Sequence, residues 1–273
     1  MSPLVKKSSG RLEDFDENKL KKSLRFAGAN EKQIRHIIQE ITPLLFEGIT
    51  SNKIFNMAFK RLKKMSYSIS INYSLKKAIF ELGPSGFHFE KFVAELMKSK
   101  GYKVQVGIHK KGRCIKHEID VVGTRPDQTV YVECKFHNSP SRKNDVKTAL
   151  YIHARCMDLK ENLDNDFNEF WLVSNTSFTK DAMTYAQCVG IKLIGINCPE
   201  EGNIQDLVNK YHLHPITSLQ RLKKKHQTIL MDKDIILAKE IYNKKELLTD
   251  LGLSDAQIKG VFLEIERLKQ THG

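Results

Sequence analysis

The sequence lacks an apolar run of about eighteen residues, the minimum for a membrane span, and no apolar segment follows its basic N-terminus. A secretory signal peptide also needs such a segment, so we expect a cytoplasmic protein that does not associate with a membrane. The five cysteines are scattered and include no CxxC pair, which excludes a zinc ribbon and a disulfide framework. Charged residues, in contrast, are abundant, and the chain is strongly basic.

The formal net charge is +13 over 273 residues, and a surface this basic attracts nucleic acids and nucleotide phosphates. The excess lies near the N-terminus. Residues 1–80 hold 16 lysines and arginines against 7 acidic residues, residues 81–200 hold 17 against 15, and residues 201–273 hold 12 against 10. Hydrophobic residues make up 40% of the chain, which is enough for folded cores and excludes a disordered protein.

Periodicity divides the chain into three parts, at 1–80, 81–200 and 201–273. The first part has two strand-like stretches around the turn Ser8–Gly10 and then four amphipathic stretches, which predict a β-hairpin followed by a helical bundle. The second part predicts the order α-β-β-β-α-β-α-β, which indicates a mixed β-sheet flanked by helices. The third part predicts helices for packing or oligomerisation. The fold class is therefore α+β and multidomain.

The strongest chemical signal is an acidic residue on one predicted strand, Asp120, followed on the next strand by Glu133 and Lys135. Side chains alternate along a strand, so Glu133 and Lys135 share a face, and a short turn brings Asp120 close to them. Carboxylates suit a divalent cation such as Mg²⁺, and a lysine can orient water or offset charge on a phosphate. The simpler interpretation is a set of edge residues with a surface ion pair. The aliphatic neighbours instead place these groups at the ends of buried strands.

Three ordered stretches carry a family resemblance: GFHFEKFVAELMKSKGYKVQV, then HEIDVVG with VYVECKFHN, then LVSNTSFTKDAMTYAQCVGIKLIGI. Residues 81–200 resemble the Mrr-type restriction endonucleases of the PD-(D/E)xK nuclease superfamily. The resemblance implies that Asp120 and Glu133 bind the metal ion with support from Glu90, and that Lys135 is the catalytic lysine beside these three acids. Many Mrr-type relatives have glutamine in place of Glu133, so this site is similar to the Glu-x-Lys form, which implies ordinary metal-dependent hydrolysis.

Two histidines flank the acidic residues. His117 either leans into the site or lies at the surface, and we expect the surface, because it should face away from Glu118 and a histidine near a strand end is usually exposed. His137 follows the lysine and either contacts phosphate or caps the next segment.

The first part contains VKKSSGRLEDFDENKL, the turn AGA at Ala27–Ala29, GITSNKIFNMAFKRL and YSLKKAI. Its lysines alone predict phosphate binding or a basic surface for DNA. The four stretches are similar to the ATP-cone, a nucleotide-sensing domain. That resemblance implies that ATP or dATP binds near Lys6, Lys7, Glu13, Asp16, Lys19 and Ser51. Two departures are the serines in a turn that usually carries arginine and aspartate, and Phe55 in place of a common histidine.

Together the resemblances imply a DNA endonuclease that uses Mg²⁺ or Mn²⁺ and is regulated by ATP or dATP. The sequence has no GxxxxGK[ST] loop, so the nucleotide would change conformation or assembly rather than drive the reaction. The family also implies an even-numbered homo-oligomer and a role in phage defence. Two alternatives remain open, a nucleotide-responsive DNA-binding regulator with an inactive nuclease-like core and an assembly module built on the C-terminal helices.

Overall fold

The computed structural model describes residues 3–7, 10–139 and 142–269. These residues form two compact units, one containing the chain up to Leu75 and its end from Glu266, the other containing Lys76–Ile265. Ser8 and Ser9 of the predicted hairpin turn lie outside the described residues. Across the described ranges, none of the helices has both the length and the apolar character that crossing a membrane requires.

The strands are β1 (Leu4–Lys6), β2 (Leu12–Asp14), β3 (Ile49–Thr50), β4 (Lys103–Lys111), β5 (Lys116–Arg125), β6 (Gln128–Lys135), β7 (Glu169–Ser174) and β8 (Ile191–Ile194). The α-helices are α1 (Glu17–Phe26), α2 (Glu31–Ile41), α3 (Ser51–Met65), α4 (Tyr67–Phe80), α5 (Phe87–Ser99), α6 (Val146–Lys160), α7 (Lys180–Cys188), α8 (Ile204–Tyr211), α9 (Lys224–Asp232), α10 (Lys245–Asp250) and α11 (Asp255–Lys269). Short 3₁₀ helices cover Thr42–Leu44, Ile216–Ser218 and Ala238–Asn243.

The first unit begins with the predicted hairpin, in which β1 pairs antiparallel with β2. A strand that was not predicted, β3, pairs parallel with β1, and its two residues are too few to show a period of two. The polar residues at the predicted helix starts act as N-caps: Asp16, Asn30 and Thr50 each accept a backbone N–H from the first turn. Each cap contributes about 0.5–2 kcal/mol. The core behind them is aliphatic and fully buried at Leu24 and Ile34.

The second unit contains a five-stranded sheet in the order β4-β5-β6-β7-β8. The first three strands are antiparallel, and β6, β7 and β8 are parallel, as the alternation of helices and strands predicted. The basic stretch HKKGR after the first predicted strand has the composition of a turn, and we expect one there from the sequence. Its residues His109–Lys111 extend β4 instead, because they pair with Lys116–Glu118. The mixed sheet with flanking helices and the helical C-terminal part are confirmed, whereas the boundaries 1–80, 81–200 and 201–273 stay a prediction.

One feature of this sheet positions the acidic residues. The ladder between β5 and β6 runs from Arg125 and Gln128 to Val121 and Val132. The next residues along the two strands lie beyond the last pair, so the strands separate there. On one side the sheet packs against α6 and α7 through a buried apolar cluster.

Candidate functional site

Asp120 and Glu133 lie at the point where β5 and β6 separate, next to the last paired residues of the two strands. The Asp120 carboxylate accepts a hydrogen bond from the backbone N–H of Cys134, with Oδ2 2.6 Å from the nitrogen. This bond joins the acid of one strand to the residue between Glu133 and Lys135. The structure therefore brings together the three residues that the motif predicted on adjacent strands.

Burial disfavours the charged forms of these acids. Burial, with repulsion from Asp120, raises the pKa of Glu133 above its ordinary value. Burial also raises the pKa of Asp120, although the backbone N–H of Cys134 opposes this shift. Glu90 lies in the first turn of α5, and its pKa is raised by burial and then by the charges of Asp120 and Glu118. The predicted acids thus lie within electrostatic reach of one another.

The guanidinium of Arg155 on α6 compensates the buried Glu133 carboxylate. Its Nη1 donates to Glu133 Oε2 at 2.5 Å, and its Nη2 donates to the backbone carbonyl of Glu118. The side chains of Arg155 and Glu133 are only 12% and 9% exposed. Arg155 was not predicted as a site residue, because it lies 22 residues beyond Glu133 and nothing in the helical period distinguishes it from other basic residues.

The donor chemistry of Asp120 and Glu133 fits a divalent cation, since two buried carboxylates supply the oxygen ligands that Mg²⁺ and Mn²⁺ prefer. A cation there would favour the charged forms of both acids, which burial disfavours. Within the described ranges, no three His, Cys, Asp or Glu side chains are close enough together to hold a metal ion. Glu90 therefore does not complete a three-residue cluster with the other two, and its part in metal binding stays a prediction.

A buried polar network fixes the chain behind Lys135. The Lys135 carbonyl accepts a hydrogen bond from the Ser174 hydroxyl at 2.8 Å, and Asn144 Nδ2 donates to the same hydroxyl at 2.9 Å. Asn144 Oδ1 in turn lies 2.8 Å from His137 Nε2. The His137 backbone exchanges two hydrogen bonds with the Asn175 side chain. His137 thus belongs to the network that positions the lysine strand.

His117 was expected at the surface, but it is buried in a polar contact with Asp158. Its Nε2 is 2.7 Å from Asp158 Oδ2, and it is only 8% exposed. Asp158 also accepts the backbone N–H groups of Cys114 and Ile115. The hydrogen bonds from His117 and Cys114 lower the pKa of Asp158 to about 2. Asp158 thereby fixes the β4–β5 turn to helix α6.

The first unit has a cavity of about 240 Å³. Four of the six residues predicted to bind nucleotide line it: Lys7, Asp16, Lys19 and Ser51. Lys6 and Glu13 are not among the lining residues.

The Glu13 carboxylate nevertheless lies 3.4 Å from Lys7 Nζ and 3.8 Å from Lys19 Nζ, so it balances both cavity lysines. Phe55 and Tyr73 add an aromatic wall, with ring centroids 4.8 Å apart. Tyr73 was not predicted, because its place on the wall depends on packing between α3 and α4.

Three family models match the chain in order. They are an ATP cone domain over residues 3–78, a restriction endonuclease domain of the Mrr type over 83–197, and an AF1548-like C-terminal domain over 214–269. An uncharacterized protein of Archaeoglobus fulgidus is 33% identical over 177 residues, which are 64% of this chain and 99% of that protein. This chain carries an ATP-cone domain and a restriction endonuclease domain of the Mrr type, and it belongs to the same family as the Archaeoglobus fulgidus protein. Its domain composition is that of a nuclease with a nucleotide-binding regulatory domain.

Among solved structures, the chain is similar to a protein of unknown function. The crystal structure of AF1548, a protein of unknown function, matches 68% of this chain and 98% of its own, with 31% identity and a TM-score of 0.56. The structure of Can2 from Sulfobacillus thermosulfidooxidans with cyclic tetra-adenylate matches 71% of this chain and 54% of its own, at 13% identity. Its TM-score of 0.35 is too low to carry an argument.

Proposed function

We propose that this Mrr-type chain is a metal-dependent endonuclease that hydrolyses phosphodiester bonds of DNA, and that ATP or dATP in the ATP-cone regulates it. One observation carries the proposal. Asp120 and the Glu133–Lys135 segment converge where β5 and β6 separate, and a hydrogen bond links the two strands there. Buried acids whose pKa values are raised by burial and by one another are frequent at catalytic sites.

Each residue has a role that its position supports. Asp120 and Glu133 would hold the cation, and Glu90 would support them from α5. A divalent cation supplies Lewis acidity toward a phosphodiester when it is bound. Lys135 would orient the attacking water and offset the negative charge that develops on the phosphate. The buried network through Ser174 and Asn144 would keep the Lys135 backbone in place during this step.

The regulatory half of the proposal rests on the cavity of the first unit. Lys7 and Lys19 line the cavity, and Glu13 forms an ion pair with each of them. A nucleotide phosphate in the cavity would therefore contact two lysines that are already held in position. We propose that nucleotide binding changes conformation or assembly, since the sequence has no phosphate loop of the ATPase type. We also propose an even-numbered homo-oligomer and a role in defence against phage, which light scattering and phage plating would test.

Cleavage of supercoiled plasmid DNA tests the proposal. Wild type, Lys135→Ala and the control Lys98→Ala are each assayed with Mg²⁺, Mn²⁺ or EDTA, and with no nucleotide, ATP or dATP. Lys98 is a suitable control because it is an exposed lysine paired with Glu95. We expect metal-dependent nicking by wild type and Lys98→Ala, and none by Lys135→Ala.

Two results would contradict parts of the proposal. If wild type and Lys135→Ala are both inert while still binding DNA, the chain is a DNA-binding regulator with an inactive core. If cleavage is equal with and without nucleotide at every metal concentration, the ATP-cone does not regulate the nuclease.

A further inference from the structure

Four cationic side chains converge in the second unit, and no part of the proposed reaction uses them. Lys100 follows the end of α5, Arg125 ends β5, Lys192 lies on β8 and Lys210 lies on α8. We refer to these four residues as the Trp171 basic cluster. They come from four separate elements, so only the tertiary fold brings them together.

Two buried aromatic rings locate three of the four cations, and the fourth, Lys210, is near enough to repel Lys100. Lys192 Nζ lies 4.4 Å and Lys100 Nζ lies 5.9 Å from the centroid of the Trp171 ring. Arg125 Cζ lies 4.9 Å from the centroid of Tyr102, and the two rings are 6.2 Å apart in an edge-on arrangement. Trp171 is 1% exposed and Tyr102 is 6% exposed, so the rings form a rigid base for the cations.

In the part of the chain that the structure describes, none of the four cations has a carboxylate within ion-pair distance. Other lysines of α5 are paired, Lys91 with Asp234 and Lys98 with Glu95. Glu169 is the acid that acts on Lys100. Its two oxygens already accept hydrogen bonds from Trp171 Nε1 and Gln128 Nε2.

The cluster therefore has an excess of positive charge, because four cations face the single carboxylate that acts on Lys100, that of Glu169. Burial, followed by repulsion from Lys192, Lys210 and Arg125, lowers the pKa of Lys100. Contact with the aromatic faces offsets part of this repulsion, and the lysine stems cover apolar ring surface. Neither contact neutralises the charge, whereas a bound anion would.

We propose that the Trp171 basic cluster binds the sugar–phosphate backbone of DNA. This proposal rests on the proposed endonuclease function. Lys192, Lys210 and Arg125 are exposed side chains on separate elements, which suits the repeated phosphates of a strand better than one small anion. Trp171 and Tyr102 are buried and cannot stack on bases, so the contact is independent of sequence.

The experiment measures binding of a 30-base-pair duplex by fluorescence anisotropy between 50 and 200 mM salt. Every protein carries Lys135→Ala and the buffer contains Ca²⁺, so that cleavage does not interfere. The test variant adds Lys192→Gln and Arg125→Gln, and the control adds Lys98→Gln and Lys180→Gln, which removes equal charge elsewhere. Circular dichroism checks that the proteins are folded, and Lys210→Gln alone provides a milder change.

Each lost phosphate contact lowers the slope of log affinity against log salt by about 0.9 and weakens binding about tenfold at 0.1 M salt. We expect a slope reduced by about two in the test variant, by about one in Lys210→Gln, and unchanged in the control. Equal slopes in test and control variants would overturn the proposal, while plasmid cleavage by wild type would leave the endonuclease function standing. A changed oligomeric state with an unchanged slope would identify a protein contact and would also overturn it.

Discussion

Removing the Arg155 guanidinium should destabilise the nuclease unit through Glu133. Arg155→Met keeps most of the side-chain volume but removes the hydrogen bonds to Glu133 and to the Glu118 carbonyl. Breaking a buried ion pair by removing one partner costs about 3–5 kcal/mol. Glu133 can take up a proton once it is unpaired, because its pKa is already raised, so we expect the lower end, about 3 kcal/mol.

Urea unfolding followed by tryptophan fluorescence measures this change, because the only tryptophan, Trp171, is buried in the nuclease unit. Arg113→Met is the matched control. Arg113 pairs with Glu161 near the same helix, but the two side chains are 69% and 45% exposed. We therefore expect Arg113→Met to change the unfolding free energy far less than Arg155→Met does.

Adding Mg²⁺ or Mn²⁺ distinguishes two reasons why Arg155→Met would lose stability, namely a lost positive charge and lost packing. A cation at Asp120 and Glu133 supplies the positive charge that Arg155→Met removes, so metal should stabilise that variant more than it stabilises wild type. Two results would refute this reasoning: an Arg155→Met variant as stable as Arg113→Met, or equal stabilisation of wild type and Arg155→Met by metal.

Two further predictions concern the buried polar contacts. Asn144→Ala leaves the His137 ring nitrogen without its partner, so it should lower the unfolding free energy by about 2–3 kcal/mol and slow plasmid cleavage. The control Asn197→Ala, at the surface, should lower the unfolding free energy by less than about 0.5 kcal/mol. Equal urea midpoints for the two variants would contradict this prediction. The pKa of Asp158 is about 2 in the folded chain against an ordinary 3.8, so the folded state binds fewer protons between these values and Asp158 stabilises the fold above about pH 4. The stability advantage of wild type over Asp158→Asn should shrink as pH falls from 5 toward 2, and a constant difference in urea midpoints would show that Asp158 is not the group responsible.

The acidic residues on β5 and β6 could be predicted because the necessary rules are local. Side-chain alternation places Glu133 and Lys135 together, and a short turn returns the chain beside Asp120. The helix caps could be predicted for the same reason, since a cap and its partner are three residues apart. Apart from β3, the helices and strands of both units therefore follow mainly from patterns within a few residues.

Contacts between distant segments could not be predicted in this way. His117 ends up buried because Asp158, 41 residues later, covers it. The extension of β4 to Lys111 also depends on pairing with β5, which overrides the turn composition of a glycine with basic neighbours. A single sequence indicates which residues are polar, but not which helix will lie over them.

Helix α6 links stability to the candidate chemistry. Arg155 and Asp158 lie one turn apart, and they hold β5 at the Glu118 carbonyl and at His117. The carboxylates of Asp120 and Glu133 are buried, and burial alone disfavours their charge. The guanidinium of Arg155 offsets this cost, and it comes from helix α6, which lies outside the motif. The sequence motif can therefore locate the buried acids of such a domain and still omit the basic residue that offsets the cost of burying them.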